Sequence, residues 1–130
     1  MVLVFLSTSC HAACVLAAQQ VRGALDALPS PVPVLFVSVD PSSDTPARVE
    51  RFLAAVSLSG RVEYLSGNAR QLRSVWSAYH VPPFPGAGGG FERALTVLLI
   101  DARGHERVVF GLEQLTPEAL AHDIGSLQSG

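Results

Sequence analysis

Two residues of this chain can act as a chemical unit: Cys10 and Cys14, its only cysteines. The thiolate, not the thiol, is the nucleophile and the soft metal ligand. Both lie where an apolar run gives way to a helical pattern. A helix start presents unpaired N–H groups and a partial positive charge, which favour the anion. A lowered pKa and raised reactivity are therefore expected at Cys10. The spacing brings both sulfurs to one side of the first helical turn. There they can close a disulfide, or present two ligands to Cu(I), which prefers thiolate. Zinc fits less well, because two cysteines alone do not complete its four-coordinate site. The plainer alternative is two small residues on a buried apolar stripe.

Four histidines are available as a further donor. His11 is next to Cys10, about 100° around the helix from it. His80 closes the third helical pattern and enters a stretch with three prolines and four glycines between positions 81 and 90. That stretch is expected near the cysteine end of the molecule. His11 and His80 are the candidate substitute metal ligands, whereas His105 and His122 belong to a terminal hairpin and helix and are expected to be remote. Asp40 and Asp44 read as turn and cap residues rather than acid–base groups.

Strand and helix patterns alternate along the chain and must position these groups. Val2–Leu6 is a short apolar run of the kind buried on both faces of a sheet. Cys14, Ala18, Val21, Leu25 and Leu28 then form one helical stripe, stopped by Pro29. Val34–Val39 is a second strand. Thr45-Pro46 supplies an N-cap with proline at the first helical position, ahead of the stripe Val49, Phe52, Leu53 and Val56. Val62–Leu65 is a third strand. Gly67-Asn68 leads into a helix with Leu72, Val75, Trp76 and Tyr79 on one face. Ala94–Ile100 is the most apolar strand and is expected to be central. Asp101-Ala102-Arg103-Gly104 reads as a hairpin turn returning through Val108–Phe110. Thr116-Pro117 starts a last helix carrying Leu120, Ile124 and Leu127. The order β-α-β-α-β-α-β-β-α gives an α/β fold, a three-layer α/β/α sandwich on a mixed central sheet in the thioredoxin-like arrangement.

The 130 residues are expected to form a single domain, 1–130. Nine positive against eleven negative residues leave a net charge of −2, without the basic stripe that nucleic-acid binding needs. Every cation is arginine, which excludes a Schiff-base or P-loop lysine. The opening apolar run lacks a positive n-region and is shorter than the roughly 7–15 residues of a signal-peptide core. It therefore reads as a strand, and an export signal or membrane anchor is expected to be missing ahead of it. No stretch has the roughly 18–20 apolar residues of a membrane span. Nothing in the sequence sets an oligomeric state.

Thr8-Ser9-Cys10-x-x-x-Cys14, followed by Val37-Ser38-Val39-Asp40-Pro41-x-x-Asp44-Thr45-Pro46, resembles the Sco/SenC family of cytochrome c oxidase assembly proteins. The second stretch is the more specific. The likeness continues through Ala78-Tyr79, Leu99-Ile100-Asp101-x-x-Gly104 and Thr116-Pro117-Glu118, nearly the whole chain. The hairpin region and membrane anchor that the family usually carries before the first strand are expected to be missing ahead of Val2. The resemblance implies a thioredoxin fold and an extracytoplasmic location, periplasmic or on the outer face of a bacterial inner membrane. It also implies a copper-site protein such as a cytochrome c oxidase subunit as partner.

In that family two cysteines and a distal histidine bind copper, and the cysteines cycle between dithiol and disulfide. Cys10 and Cys14 match the cysteines. The histidine position is occupied by Arg93, whose guanidinium offers no lone pair to a metal. His11-Ala12-Ala13 and Val15 depart from the family pattern as well. Arg93 instead reads as a cation that favours the Cys10 thiolate, with a surface pairing to Glu92 or Asp40 as the plain alternative. The expected activity is thiol–disulfide exchange through Cys10 and Cys14, requiring no cofactor. The alternative is a non-enzymatic Cu(I) chaperone using Cys10, Cys14 and His80 or His11. A peroxiredoxin-like peroxidase is disfavoured, because Ser7 stands where that family places a threonine before its cysteine.

Overall fold

The computed structural model describes residues 1–81, 96–110 and 115–129. Among these residues five strands and four helices follow one another as read: β1 (Val2–Leu6), α1 (His11–Ala27), β2 (Val34–Ser38), α2 (Pro46–Ala55), β3 (Glu63–Leu65), α3 (Ala69–Ala78), β4 (Thr96–Ile100), β5 (Glu106–Phe110) and α4 (Pro117–Ser129). One mixed sheet has the order β3-β2-β1-β4-β5. β1 pairs parallel with β2, and β2 with β3. β4 runs antiparallel to β1 and to β5.

The middle strand is β1, not the strand ending at Ile100. Two crossovers add β2 and β3 on one side of β1, and the β4–β5 hairpin adds on the other. Apolarity does not separate the two candidates, because β1 and β4 each have neighbours on both sides and are buried on both faces.

Alternation along β1 divides the interior. Val2, Val4 and Leu6 face α1, α2 and α4, in one cluster with Cys14, Phe52 and Leu120. Leu3 and Phe5 face the other way, toward Leu72 and Trp76 of α3. Each of these large side chains contributes about 1.5–3 kcal/mol through its removal from water. On α2 only Phe52 and Val56 of the expected stripe are buried, with Val49 and Leu53 half-covered.

Caps fix the helix starts, at Thr45 as the sequence suggests and at Asn68 besides. Thr45 Oγ1 accepts from Arg48 N at 3.3 Å. Asn68 and Gln71 form a reciprocal capping box. Among the described residues no helix is long and apolar enough to cross a membrane.

Candidate redox site

β1 delivers the chain to the site at its C-terminal end. After Leu6, residues Ser7–Ser9 turn, and Cys10 N donates to Ser7 O at 3.2 Å. Cys10 is then the N-cap of α1, with extended backbone (φ −89°, ψ 90°) and no side-chain cap bond. Cys14 lies one turn further in and is fully buried, while Cys10 is 4% exposed. The two sulfurs form a disulfide, with a Cα–Cα separation of 5.4 Å, inside the usual range for such a bridge. The pair is thus brought together at a helix start, Cys10 at the N-cap and Cys14 one turn in, both packed in the core cluster beneath β1.

The turn is held from outside. β2 runs parallel to β1, so the loop that follows it, Val39–Thr45, leaves the sheet at the same end. Asp44 in that loop is 2% exposed. Its Oδ1 accepts from Ser7 Oγ at 2.9 Å, Thr8 N at 2.9 Å and Thr8 Oγ1 at 2.6 Å. Its Oδ2 accepts from the Tyr64 hydroxyl at 2.7 Å. Ser9 Oγ donates to Asp40 Oδ2 at 3.0 Å, and Ser66 Oγ donates to Asp44 O at 2.9 Å. Among the described residues no cation pairs with Asp44. This buried carboxylate is satisfied by neutral donors alone.

Tyr64 answers to the same surroundings. Its phenol is pushed far above the ordinary tyrosine value, first by burial, then by the charge and hydrogen bond of Asp44 and the charge of Asp40. It therefore stays a donor. Tyr64 and Asp44 also line an open cleft of about 590 Å³ with Pro41, Pro46, Val49 and Glu50.

Reading Asp44 as a turn or cap residue understates it. Thr45 caps α2, and the Asp44 carboxylate binds a turn more than thirty residues away in sequence. A local signal existed in the run Ser7-Thr8-Ser9, since three consecutive hydroxyls beside a buried pair need acceptors. Ser7 is fully buried with its hydroxyl committed to Asp44 and Ser9, which weighs further against a peroxidase role.

The other expected residues are placed differently. His80 is exposed and follows α3, on the sheet face opposite α1 and the disulfide. It adopts φ 58°, with His80 N donating to Ser77 O and Val81 N to Trp76 O. This is a Schellman ending whose left-handed position is usually glycine. Ser57 (φ 59°) ends α2 the same way. His105 lies in the hairpin at the other end of the sheet, and His122 is exposed on α4. His11 is the first residue of α1, and its imidazole lies outside what is described. Arg93 and the Pro82–Gly90 stretch also lie outside the described residues. Among the described residues no three His, Cys, Asp or Glu side chains converge on a metal position.

Known proteins give this geometry a context. The family profile described as SCO1/SenC matches residues 1–129. Copper-bound yeast Sco1 superimposes with a TM-score of 0.81 at 19% identity, over 99% of this chain and 75% of that one. Apo Sco1 from Thermus thermophilus gives 0.77 at 23% identity, over 97% and 77%. Bradyrhizobium japonicum ScoI with copper bound gives 0.67 at 26% identity, over 97% and 83%. Among curated proteins there is no significant match.

Proposed function

The chain belongs to the SCO1/SenC family, and from that premise we propose that it exchanges electrons with a dithiol partner through Cys10 and Cys14. The single observation that carries this reading is the Cys10–Cys14 disulfide at the start of α1. In the reduced chain the Cys10 thiolate attacks a partner disulfide and expels one partner thiolate. Cys14, as thiolate, then attacks the Cys10 sulfur of the mixed disulfide and expels the second. One partner disulfide becomes two thiols, and two electrons leave the chain as its own disulfide closes. Both sulfur-bearing residues are buried, and Cys10 is assigned the attack because it is the N-cap of α1 and the slightly more exposed of the two, 4% against 0% for Cys14. The helix N-terminus favours the thiolate at Cys10, and Arg93 is the sequence candidate for a reinforcing cation.

Proteins of this family assist cytochrome c oxidase assembly. The proposed partner is accordingly a copper-site protein such as an oxidase subunit. The proposed location is extracytoplasmic, where disulfides persist. The test is reaction of the reduced chain with an oxidised two-cysteine peptide. Cys14→Ser is expected to accumulate a mixed disulfide through Cys10, and Cys10→Ser to give none. No mixed disulfide with either variant would remove the reading.

A second reading is favoured by the copper-bound relatives: the reduced chain carries Cu(I) as cargo on both sulfurs; of the two candidate third donors, His11 is the first residue of α1, whereas His80 lies on the opposite sheet face as a helix cap. His80→Gly separates a ligand from a cap, because glycine keeps the left-handed position and deletes the imidazole. As a cap residue, His80 loses nothing on this change, and stability is expected to rise by about 0.5–1 kcal/mol at unchanged Cu(I) affinity. A collapse of Cu(I) affinity in competition with a chelator would make His80 the ligand.

A further inference from the structure

We infer that Asp44 is a positioning residue for the redox pair: its buried carboxylate holds the Ser7–Ser9 turn in place, and this clamp sets how readily the Cys10–Cys14 disulfide is reduced. The inference rests on the exchange reading and deepens it.

Three observations support it. The turn has little of its own to hold it. Beyond the Cys10 N to Ser7 O bond and the Ser7–Ser9 contacts, its side chains bond to the Val39–Thr45 loop. Next, Asp44 Oδ1 takes three donors from two consecutive turn residues, the shortest at 2.6 Å. Charge-assisted bonds of this kind are about twice as strong as neutral ones. Finally, Oδ2 is occupied by Tyr64 of β3, so the carboxylate cannot rotate without giving up a buried donor. Asp44 touches neither sulfur among the contacts described and acts through the backbone that carries Cys10.

The direction of the effect follows from comparing the two redox states. In the oxidised chain the turn is held by both the disulfide and the clamp. In the reduced chain only the clamp remains. Without it the reduced turn gains conformational freedom, which stabilises the dithiol relative to the disulfide and lowers the effective concentration of one thiol at the other. Removing the negative charge acts the same way, because a nearby anion disfavours a second anion at Cys10.

The experiment equilibrates the chain with dithiothreitol, whose two thiols are oxidised to a cyclic disulfide as the chain takes up two electrons and two protons. Free thiols are then counted by alkylation and mass. Asp44→Asn keeps an acceptor for the turn but removes the charge, and is expected to lower the equilibrium constant for the disulfide about tenfold, a shift of about 30 mV. Thr8→Val removes only the shortest bond and keeps the charge, with an expected change of about threefold in the same direction. Should Asp44→Asn not fold, as read by near-UV circular dichroism, Thr8→Val decides alone. Folded variants within twofold of the parent, or shifted toward the disulfide, would overturn the clamp. The dithiothreitol equilibrium is independent of any protein partner, so a chain inert toward the two-cysteine peptide would end the exchange reading without deciding this one.

Discussion

Two aspartates organise two turns at opposite ends of the same sheet, with different company. Asp44 is buried and takes all its hydrogen bonds from hydroxyls and one amide. Asp101, after β4, shapes the hairpin turn by accepting from Arg103 N and His105 N, both at 2.9 Å. Its side chain is 15% exposed, with Arg107 Nη1 at 3.5 Å and the His105 ring at 4.0 Å. Water and cations can compensate when a bond to Asp101 is lost. The Asp44 carboxylate is buried, and among the described residues no cation pairs with it, so a donor that loses this acceptor is compensated less readily. The difference teaches where rigidity is placed: the tightly specified turn carries the disulfide, and the forgiving one carries only a strand reversal.

Alanine at each position tests that contrast most severely. Asp44→Ala is expected to cost on the order of 3–5 kcal/mol, because Ser7 Oγ, Thr8 N and the Tyr64 hydroxyl lose their acceptor inside the protein. Asp101→Ala is expected to lower the melting temperature much less. Equal losses in thermal unfolding would break the comparison. Within the exposed turn, Gly104→Ala is expected to cost about 1 kcal/mol. Gly104 has φ +83° and nothing lies within 4 Å of an added Cβ, so backbone strain alone is measured. A neutral result in denaturant titration would show that the hairpin turn tolerates a different conformation.

The smallest effect is expected in acid. Asp101 is held below the ordinary carboxylate value, first by the His105 amide, which burial opposes as the next largest effect, and then by the Arg103 amide and the Arg107 and His105 side chains. A depressed folded value means that this carboxylate stabilises the fold above about pH 4, where its unfolded form is already ionised. The contribution disappears as pH falls through the lower folded value. Asp101→Asn should therefore flatten the decline in melting temperature below pH 4. An unchanged decline would assign the acid sensitivity to other carboxylates.

Much of this architecture can be read from local patterns. The apolar runs of β1 and β2, the Thr45-Pro46 start and the Gly67-Asn68 lead into α3 each act within a few residues, and all appear where expected. So do the two cysteines at the strand-to-helix junction, since the strand end and the helix start are both locally marked. What sequence reading misses is set at a distance or against propensity. Asp44 reaches Ser7 and Thr8 only because parallel pairing of β1 and β2 brings two loops to one end of the sheet. His80 resembles a loop ligand because glycine, the usual signal of a Schellman ending, is absent there. The strand expected at the centre lies one place off, because strand order depends on crossovers that hydropathy does not encode.

One further consequence comes from Trp76, the chain's single tryptophan. Its indole N–H donates to Ser38 O at 2.9 Å, at the root of the loop that carries Asp40 and Asp44. The chain thereby holds its own optical reporter. Loosening of that loop breaks the indole's bond and admits water, moving emission to longer wavelength, with no dye attached and the fluorophore on the sheet face opposite the sulfurs.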